Sequence, residues 1–343
     1  MELWLALLLC VIIGFFTAFL SGFAVVPWLR KLKFGQAILD IGPSWHKKKQ
    51  GTPTMGGILI ILGFFAAVAV TLITDKLLGG NLLIEGNSRP ESVAYIKIFS
   101  GMLMSLAFAF IGFIDDYIKV VKKRNLGLTE MQKTVLQILV IVVYLFTLYK
   151  SGVNFIFIPY LGIYENTVIF FVLGFIAIYA TVNAVNFTDG VDGLCSSVTA
   201  VVAVGFAVCS VIMSFSGLSI LSAALFGALL GFLMWNWNPS KVIMGDLGSF
   251  FLGGMVCTFA FSLDSPWLIV LIGFIYVIEF LSDILQIAYI KTHKGKKLFR
   301  MAPIHHHYEL GGWTEKKICK VFTLVTAIGS AAAVALSWFG RLM

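Results

Sequence analysis

Apolar residues fill this chain in runs of about twenty, each closed by a short polar or basic stretch. A helix that crosses a bilayer needs about 20 mainly apolar residues, because hydrocarbon offers the backbone no hydrogen-bond partner. Scanning at that length predicts ten spans, at residues 3–28, 54–74, 96–115, 132–150, 167–186, 194–214, 218–236, 249–264, 266–290 and 318–340. Only Asp264, Ser265 and Pro266 separate the eighth from the ninth. Between the fourth and fifth, VNFIFIPYLGIY (153–164) alternates weakly and holds Pro and Gly, which predicts a small β-hairpin at the outer surface. The expected architecture is an all-α integral membrane protein, a single polytopic domain over 1–343. No internal repeat is visible, which counts against a transporter built from duplicated halves.

Ten spans place both termini on one side and sort the loops into two sets. Residues 29–53, 116–131 with Lys133, 187–193, 237–248 and 291–317 with Lys320 carry 20 of the 25 Lys and Arg residues. The other set holds Lys76, Arg89, Lys97, Lys150 and Arg341. By the positive-inside bias the first set is cytoplasmic, and both termini are extracytoplasmic.

Composition agrees with this pattern. Charged residues are 12% of the chain, against about 25% in soluble domains, and the mean hydropathy is +0.96. The net charge of +8 lies in short blocks between spans, a pattern of membrane orientation and anionic ligands rather than of a nucleic-acid-binding face. The five cysteines lie in or beside apolar runs without CxxC spacing and read as reduced packing residues. Glu2 precedes the first run, no basic segment does, and Leu3–Trp28 exceeds the apolar core of a signal peptide, so this run is read as a span.

Four polar clusters interrupt the apolar pattern, all on the predicted cytoplasmic side. Asp115 and Asp116 stand at the end of the third span, with Lys119 one turn on. A solvated helix end would account for one such Asp. Two are costlier, because the helix dipole is negative there and adjacent like charges oppose each other's ionisation. Mg²⁺ with a diphosphate would relieve both penalties, since Mg²⁺ takes carboxylate and phosphate oxygens together. Successive helical residues diverge by about 100°, so the two carboxylates need not share one task. The second cluster is NFTDGVDG, from Asn186 to Gly193. Here Asp189 and Asp192 would share a face if a helix began, and Thr188 or Asp189 could cap the sixth span beside an anion. An ordinary capped loop is the competing reading. The third runs from Asn236 and Asn238 to Gly245, Asp246 and Ser249, where capping alone could explain Asp246. The fourth holds His305, His306 and His307 beside the basic residues Lys294, Lys296, Lys297 and Arg300. Three consecutive His cannot all face one metal from a helix, and HExxH is absent, so hydrogen bonding to phosphate or sugar oxygens fits better than zinc. Glu279 and Asp283 fall inside the ninth span, which marks that helix as lining a cavity. Carboxylates for Mg²⁺, cations for phosphates and apolar helices for a lipid tail together suit phosphoryl transfer to a membrane-embedded acceptor.

GTPTMGG (51–57), DDYxK (115–119), NFTDGVDGL from Asn186, MGDLGS (244–249) and APIHHHYE (302–309) resemble the phospho-N-acetylmuramoyl-pentapeptide transferases, a branch of the polyprenyl-phosphate N-acetylhexosamine-1-phosphate transferases. The motifs recur in order along nearly the whole chain, and the triple His favours this branch over the GlcNAc-1-phosphate branch. The resemblance implies transfer of phospho-MurNAc-pentapeptide from UDP-MurNAc-pentapeptide to undecaprenyl phosphate, giving UMP and lipid I for peptidoglycan biosynthesis. It implies Mg²⁺ dependence, a homodimer, and a multi-pass protein of the bacterial plasma membrane with its active site on the cytoplasmic face. Asp115, Asp116 and Asp246 then correspond to the essential acids, with Asp246 and Asp115 as the metal ligands. Lys119, Lys133, Asn186, Asp189, Asp192, Asn236 and Gly245 match polar or backbone positions of the cleft. His305, His306 and His307 match the His motif near the sugar-nucleotide. Lys47–Lys49 and Asp283 receive no role. A GlcNAc-1-phosphate transferase and an anionic-solute transporter are the competing functions.

Overall fold

The computed structural model describes residues 1–32, 51–84, 90–121, 127–158 and 161–341. Lys47–Lys49 therefore lie outside the described residues. The order is α1 (Leu3–Lys31), α2 (Gly57–Leu77), α3 (Glu91–Val121), α4 (Glu130–Lys150), β1 (Phe155–Ile158), β2 (Gly162–Glu165), α5 (Thr167–Thr188), α6 (Leu194–Ile212), α7 (Ser216–Asn236), α8 (Gly245–Ser262), α9 (Leu268–Ile272), α10 (Phe274–Thr292), α11 (Ile304–Glu309) and α12 (Glu315–Arg341). Among the described residues nine helices are long and apolar enough to cross a membrane.

Helix α8 is the axis of the bundle, and 17 of its 18 residues are buried. Its small residues let backbones approach closely, the usual means of packing helices where lipid gives no hydrophobic drive. Gly253 meets Val182 of α5 and Gly254 meets Ser105 of α3, each so near that an added Cβ would lie 2.7 Å from the facing Cα. Gly57 of α2 faces Gly248 in the same way, at 2.3 Å. The other helices are more exposed, with large apolar residues such as Trp4, Phe16, Leu103 and Ile328 on their outer faces.

The expected ninth span is not one helix. It breaks at Gly273 into the five-residue α9 and the longer α10. Within 19 residues α10 carries Glu279, Asp283 and Lys291, too many charges for an uninterrupted apolar span. It turns Glu279, Ser282 and Gln286 inward, while Leu281, Ile284, Leu285 and Ile287 stay exposed. The third span also differs: α3 continues six residues past Asp115, so Asp115 and Asp116 lie inside the helix rather than at its end. One further turn brings Lys119 back beneath them.

Strands β1 and β2 pair antiparallel, from Phe155 opposite Glu165 to Ile158 opposite Gly162. The hairpin docks on the α8–α9 turn, where Phe157 N–H donates to Asp264 O (2.7 Å) and Trp267 Nε1 donates to Phe157 O (2.9 Å). Below it Lys97, fully buried, donates to Asp264 Oδ1 at 2.5 Å and to Ser262 O at 3.2 Å. This pair ties α3 to the end of α8 at the pole opposite the polar clusters. Removing one partner of a buried pair leaves an uncompensated charge, at a cost of about 3–5 kcal/mol. Lys97→Met should therefore lower the thermal midpoint in detergent strongly, and Asp264→Asn in the same chain should restore part of the loss. An additive double variant would show that the two side chains are not energetically coupled.

Candidate active site

Three chain segments meet at one end of the bundle because their backbones interlock. Gly56 N–H donates to Ile243 O and Gly57 N–H to Met244 O (2.9 Å each), while Ile243 N–H donates to Pro53 O (2.8 Å). The 53–57 stretch thus clamps the segment that leads into α8. Gly245 has φ +77°, and a Cβ there would lie 2.6 Å from both Asp116 Oδ2 and Thr54 Oγ1, so glycine is required twice over. Gly112 lets α3 press on the first turn of α8, its hypothetical Cβ only 2.2 Å from Asp246 O. A capping box between Thr129 and Gln132 starts α4 and sets Lys133 on its first turn.

This scaffold gathers Asp115, Asp116 and Asp246 so that one oxygen of each lies within 4.8 Å of the others. Two ammonium groups sit among them. Lys119 Nζ is 2.5 Å from Asp115 Oδ2, 3.2 Å from Asp246 Oδ2 and 3.9 Å from Asp116 Oδ1. Lys133 Nζ is 3.2 Å from Asp115 Oδ1 and 3.1 Å from Asp246 Oδ2. Asn186 Nδ2 fixes the remaining Asp246 oxygen at 2.9 Å and also donates to Ser249 Oγ at 2.8 Å. The adjacent carboxylates have different neighbours, as helix geometry requires. Asp115 Oδ1 accepts from Leu128 N–H (2.8 Å), whereas Asp116 Oδ2 accepts from Leu247 N–H (3.2 Å).

Asp189 flanks the cluster, with Gly245 N–H donated to its carboxyl. Burial first, then the charges of Asp246 and Asp116, hold that carboxyl well above the ordinary carboxylate range. It ends α5 as its C-cap and does not cap α6; Thr188 donates instead to Ala184 O within α5. Helix α6 starts at Gly193, whose φ of +78° suits glycine. Asn236, buried, braces that start: its Oδ1 accepts from Gly193 N–H (3.2 Å) and Ser196 Oγ (2.9 Å). Asp192 does not share a face with Asp189, because a turn rather than a helix joins them. Its carboxylate binds Ser240 N–H (3.0 Å), Ser240 Oγ (2.9 Å) and Asn238 Nδ2 (3.3 Å). Asn236 and Asp192 thus brace the loops around the cluster, while Asp189 and Gly245 touch it.

The three imidazoles diverge. His305 is fully buried with Nδ1 3.0 Å from Glu279 Oε2. His306 Nδ1 lies 2.9 Å from Glu309 Oε2, and His307 Nδ1 accepts from Arg300 N–H at 3.2 Å. Their Nδ1 atoms take three different partners. Sequence reasoning did not single out Leu128 N–H, Leu247 N–H or Thr54, because backbone donors and close approaches leave no mark in residue type.

Residues 98–264 match the family described as Glycosyl transferase family 4. Residues 49–61 match signature 1 of the phospho-N-acetylmuramoyl-pentapeptide-transferases. Proteins of that name are similar over nearly the whole chain. That of Clostridium botulinum is 42% identical over 318 residues, 92% of each chain. That of Caldicellulosiruptor bescii is 40% identical over 330 residues, 96% of this chain and 97% of its own. That of Clostridium acetobutylicum is 43% identical over 326 residues, 93% and 95%. The chain belongs to the phospho-N-acetylmuramoyl-pentapeptide-transferase family.

The raised Asp189 carboxyl carries a stability consequence. Below the unfolded pKa of about 3.9 both states are protonated and no penalty exists. As pH rises past that value the unfolded chain loses its proton while the folded one keeps it, so stability falls toward the folded pKa. Asp189→Asn keeps an acceptor for Gly245 N–H and removes the titration. Its thermal midpoint should exceed that of the wild type at pH 7.5, with the difference shrinking toward pH 4.5. An unchanged difference across that range would show that Asp189 does not keep its proton in the fold.

Proposed function

We propose that this chain transfers phospho-MurNAc-pentapeptide from UDP-MurNAc-pentapeptide to undecaprenyl phosphate in the bacterial plasma membrane, releasing UMP and forming lipid I. The observation that carries the reading is the packing of three carboxylates and two lysines at the cation-rich end of a membrane-spanning bundle. The loop-charge bias makes that end cytoplasmic, with both termini outside and the broken α9–α10 segment as a tenth crossing. The family resemblance supports a homodimer.

The donor set suits Mg²⁺. It consists of hard carboxylate oxygens, and with all groups ionised three acids against two ammoniums leave a formal excess of one negative charge. Asp115 Oδ2 is buried against Lys119 Nζ at 2.5 Å, so a metal ion would take that oxygen in place of the ammonium. Asp246 and Asp115 would hold Mg²⁺, which supplies charge neutralisation to a diphosphate. Lys119 and Lys133 bridge the same carboxylates and are placed to turn toward the phosphate oxygens of the donor. An oxygen of the lipid phosphate attacks the phosphorus bonded to the sugar, the bond to the UMP phosphate breaks, and UMP leaves with that electron pair. One phosphoanhydride replaces another, so the exchange needs no ATP. The protein's contribution is positioning and charge.

Labelled UMP should exchange into UDP-MurNAc-pentapeptide in the presence of undecaprenyl phosphate and Mg²⁺, and not into UDP-GlcNAc. Exchange with UDP-GlcNAc alone would move the chain to the GlcNAc-1-phosphate branch. Asp246→Asn should keep the fold, abolish turnover and weaken Mn²⁺ binding read by electron paramagnetic resonance; near-normal turnover would remove the metal-ligand assignment.

Asp115→Asn and Asp116→Asn should both be severe yet distinguishable. A phosphate monoester has a second pKa of about 6, so at high pH the lipid dianion forms without a base. The variant that has lost the base should therefore recover relative to wild type between about pH 6 and 9, and the other should not. Parallel profiles would remove general-base assistance by either residue.

A further inference from the structure

Glu279 is an acidic side chain fully buried in α10, and the reaction just described does not use it. Its Oε2 lies 3.0 Å from His305 Nδ1, and both side chains are fully buried. Among the described residues its Oε1 and His305 Nε2 have no hydrogen-bond partner. A buried acid is costly unless something is gained by it, and an imidazole bonded at Nδ1 is fixed in both tautomer and ring orientation. Here the orientation has a target. The Nε2 edge abuts Gly190, where an added Cβ would stand 2.0 Å from Nε2 and 2.6 Å from Cε1. Gly190 is thus the place where the 189–193 turn accepts a ring against its backbone. On one side of it Asp189 meets Gly245 N–H, next to Asp246. On the other, Asp192 O accepts from Cys319 Sγ of α12 at 3.2 Å.

We propose that Glu279 is a positioning residue: it holds His305 against Gly190, and so sets the 189–193 turn, with Asp189, in register with Asp246. The inference rests on the proposed transferase reading for its kinetic arm, but its structural arm does not. Glu279 works as a hydrogen-bond acceptor for Nδ1–H. A glutamine, whose amide oxygen can accept the same bond, should substitute for it where alanine cannot.

Two measurements on the full-length detergent-solubilised protein test this. In the first, thiol alkylation is followed site by site by mass spectrometry. Cys319 and Cys10 are both buried, but only Cys319 touches the turn; Cys10 bonds Thr71 at 3.1 Å between α1 and α2. Glu279→Ala and His305→Ala should expose Cys319 to alkylation while Cys10 stays protected, and Glu279→Gln should protect both. Protection of Cys319 in Glu279→Ala would overturn the proposal. Exposure of Cys10 as well would also overturn it, since Glu279 would then hold the whole fold rather than the turn. In the second, Glu279→Ala and His305→Ala should each lower kcat by about tenfold or more, and the double variant should be no worse than His305→Ala alone. Glu279→Gln should recover most of the loss. Additive losses would overturn the coupling. Absence of wild-type turnover would instead refute the transferase reading, and the alkylation result would still decide the role of Glu279.

Discussion

Three carboxylates stand within a few ångströms of one another inside a membrane-spanning bundle, and two ammonium groups between them make that arrangement tolerable. Without Lys119 and Lys133 the like charges would repel in a setting that screens them poorly, and protonation would relieve the repulsion by removing the acids' function. The lysines are therefore structural before they are chemical. They sit between the acids and offset part of their charge.

That arrangement depends in turn on backbones that approach unusually closely. Gly112 lets α3 touch the first turn of α8, and the 53–57 clamp fixes the segment that delivers Gly245 and Asp246. The far pole is held by a different device, the buried Lys97–Asp264 pair under the hairpin. Between the two poles α8 is surrounded on all sides, so the position of Asp246 is set by packing along the length of a helix.

Much of this was legible in the sequence because lipid imposes a strict rule on backbone hydrogen bonding. The apolar runs marked the long helices, and the clustering of Asp115, Asp116, Lys119 and Lys133 with Asn186 and Asp246 emerges from motifs scattered between positions 115 and 246. What stayed hidden has a common cause: residue type does not say which of several available partners a side chain takes. Asp189 and Asp192 look alike in NFTDGVDG, yet one meets the cluster and the other braces Ser240 and Asn238. Thr188 stands where it could cap α6, yet Gly193 is the N-cap, and Asn236, 43 residues on from it, takes its N–H. The break at Gly273 was masked by apolar residues on both sides of it.

The same reasoning explains why α10 can carry acids at a depth where lipid would forbid them. Glu279 meets an imidazole of the six-residue helix α11, 3.0 Å from His305 Nδ1. Gln286, two turns on, takes both Leu298 N–H and Phe299 N–H on its side-chain oxygen and returns a bond to Phe299 O at 3.1 Å. Two polar side chains on one face of α10 therefore hold the whole 298–305 return strand of chain, while its other face remains apolar and exposed. A helix so divided can border lipid on one side and anchor polar chain segments on the other.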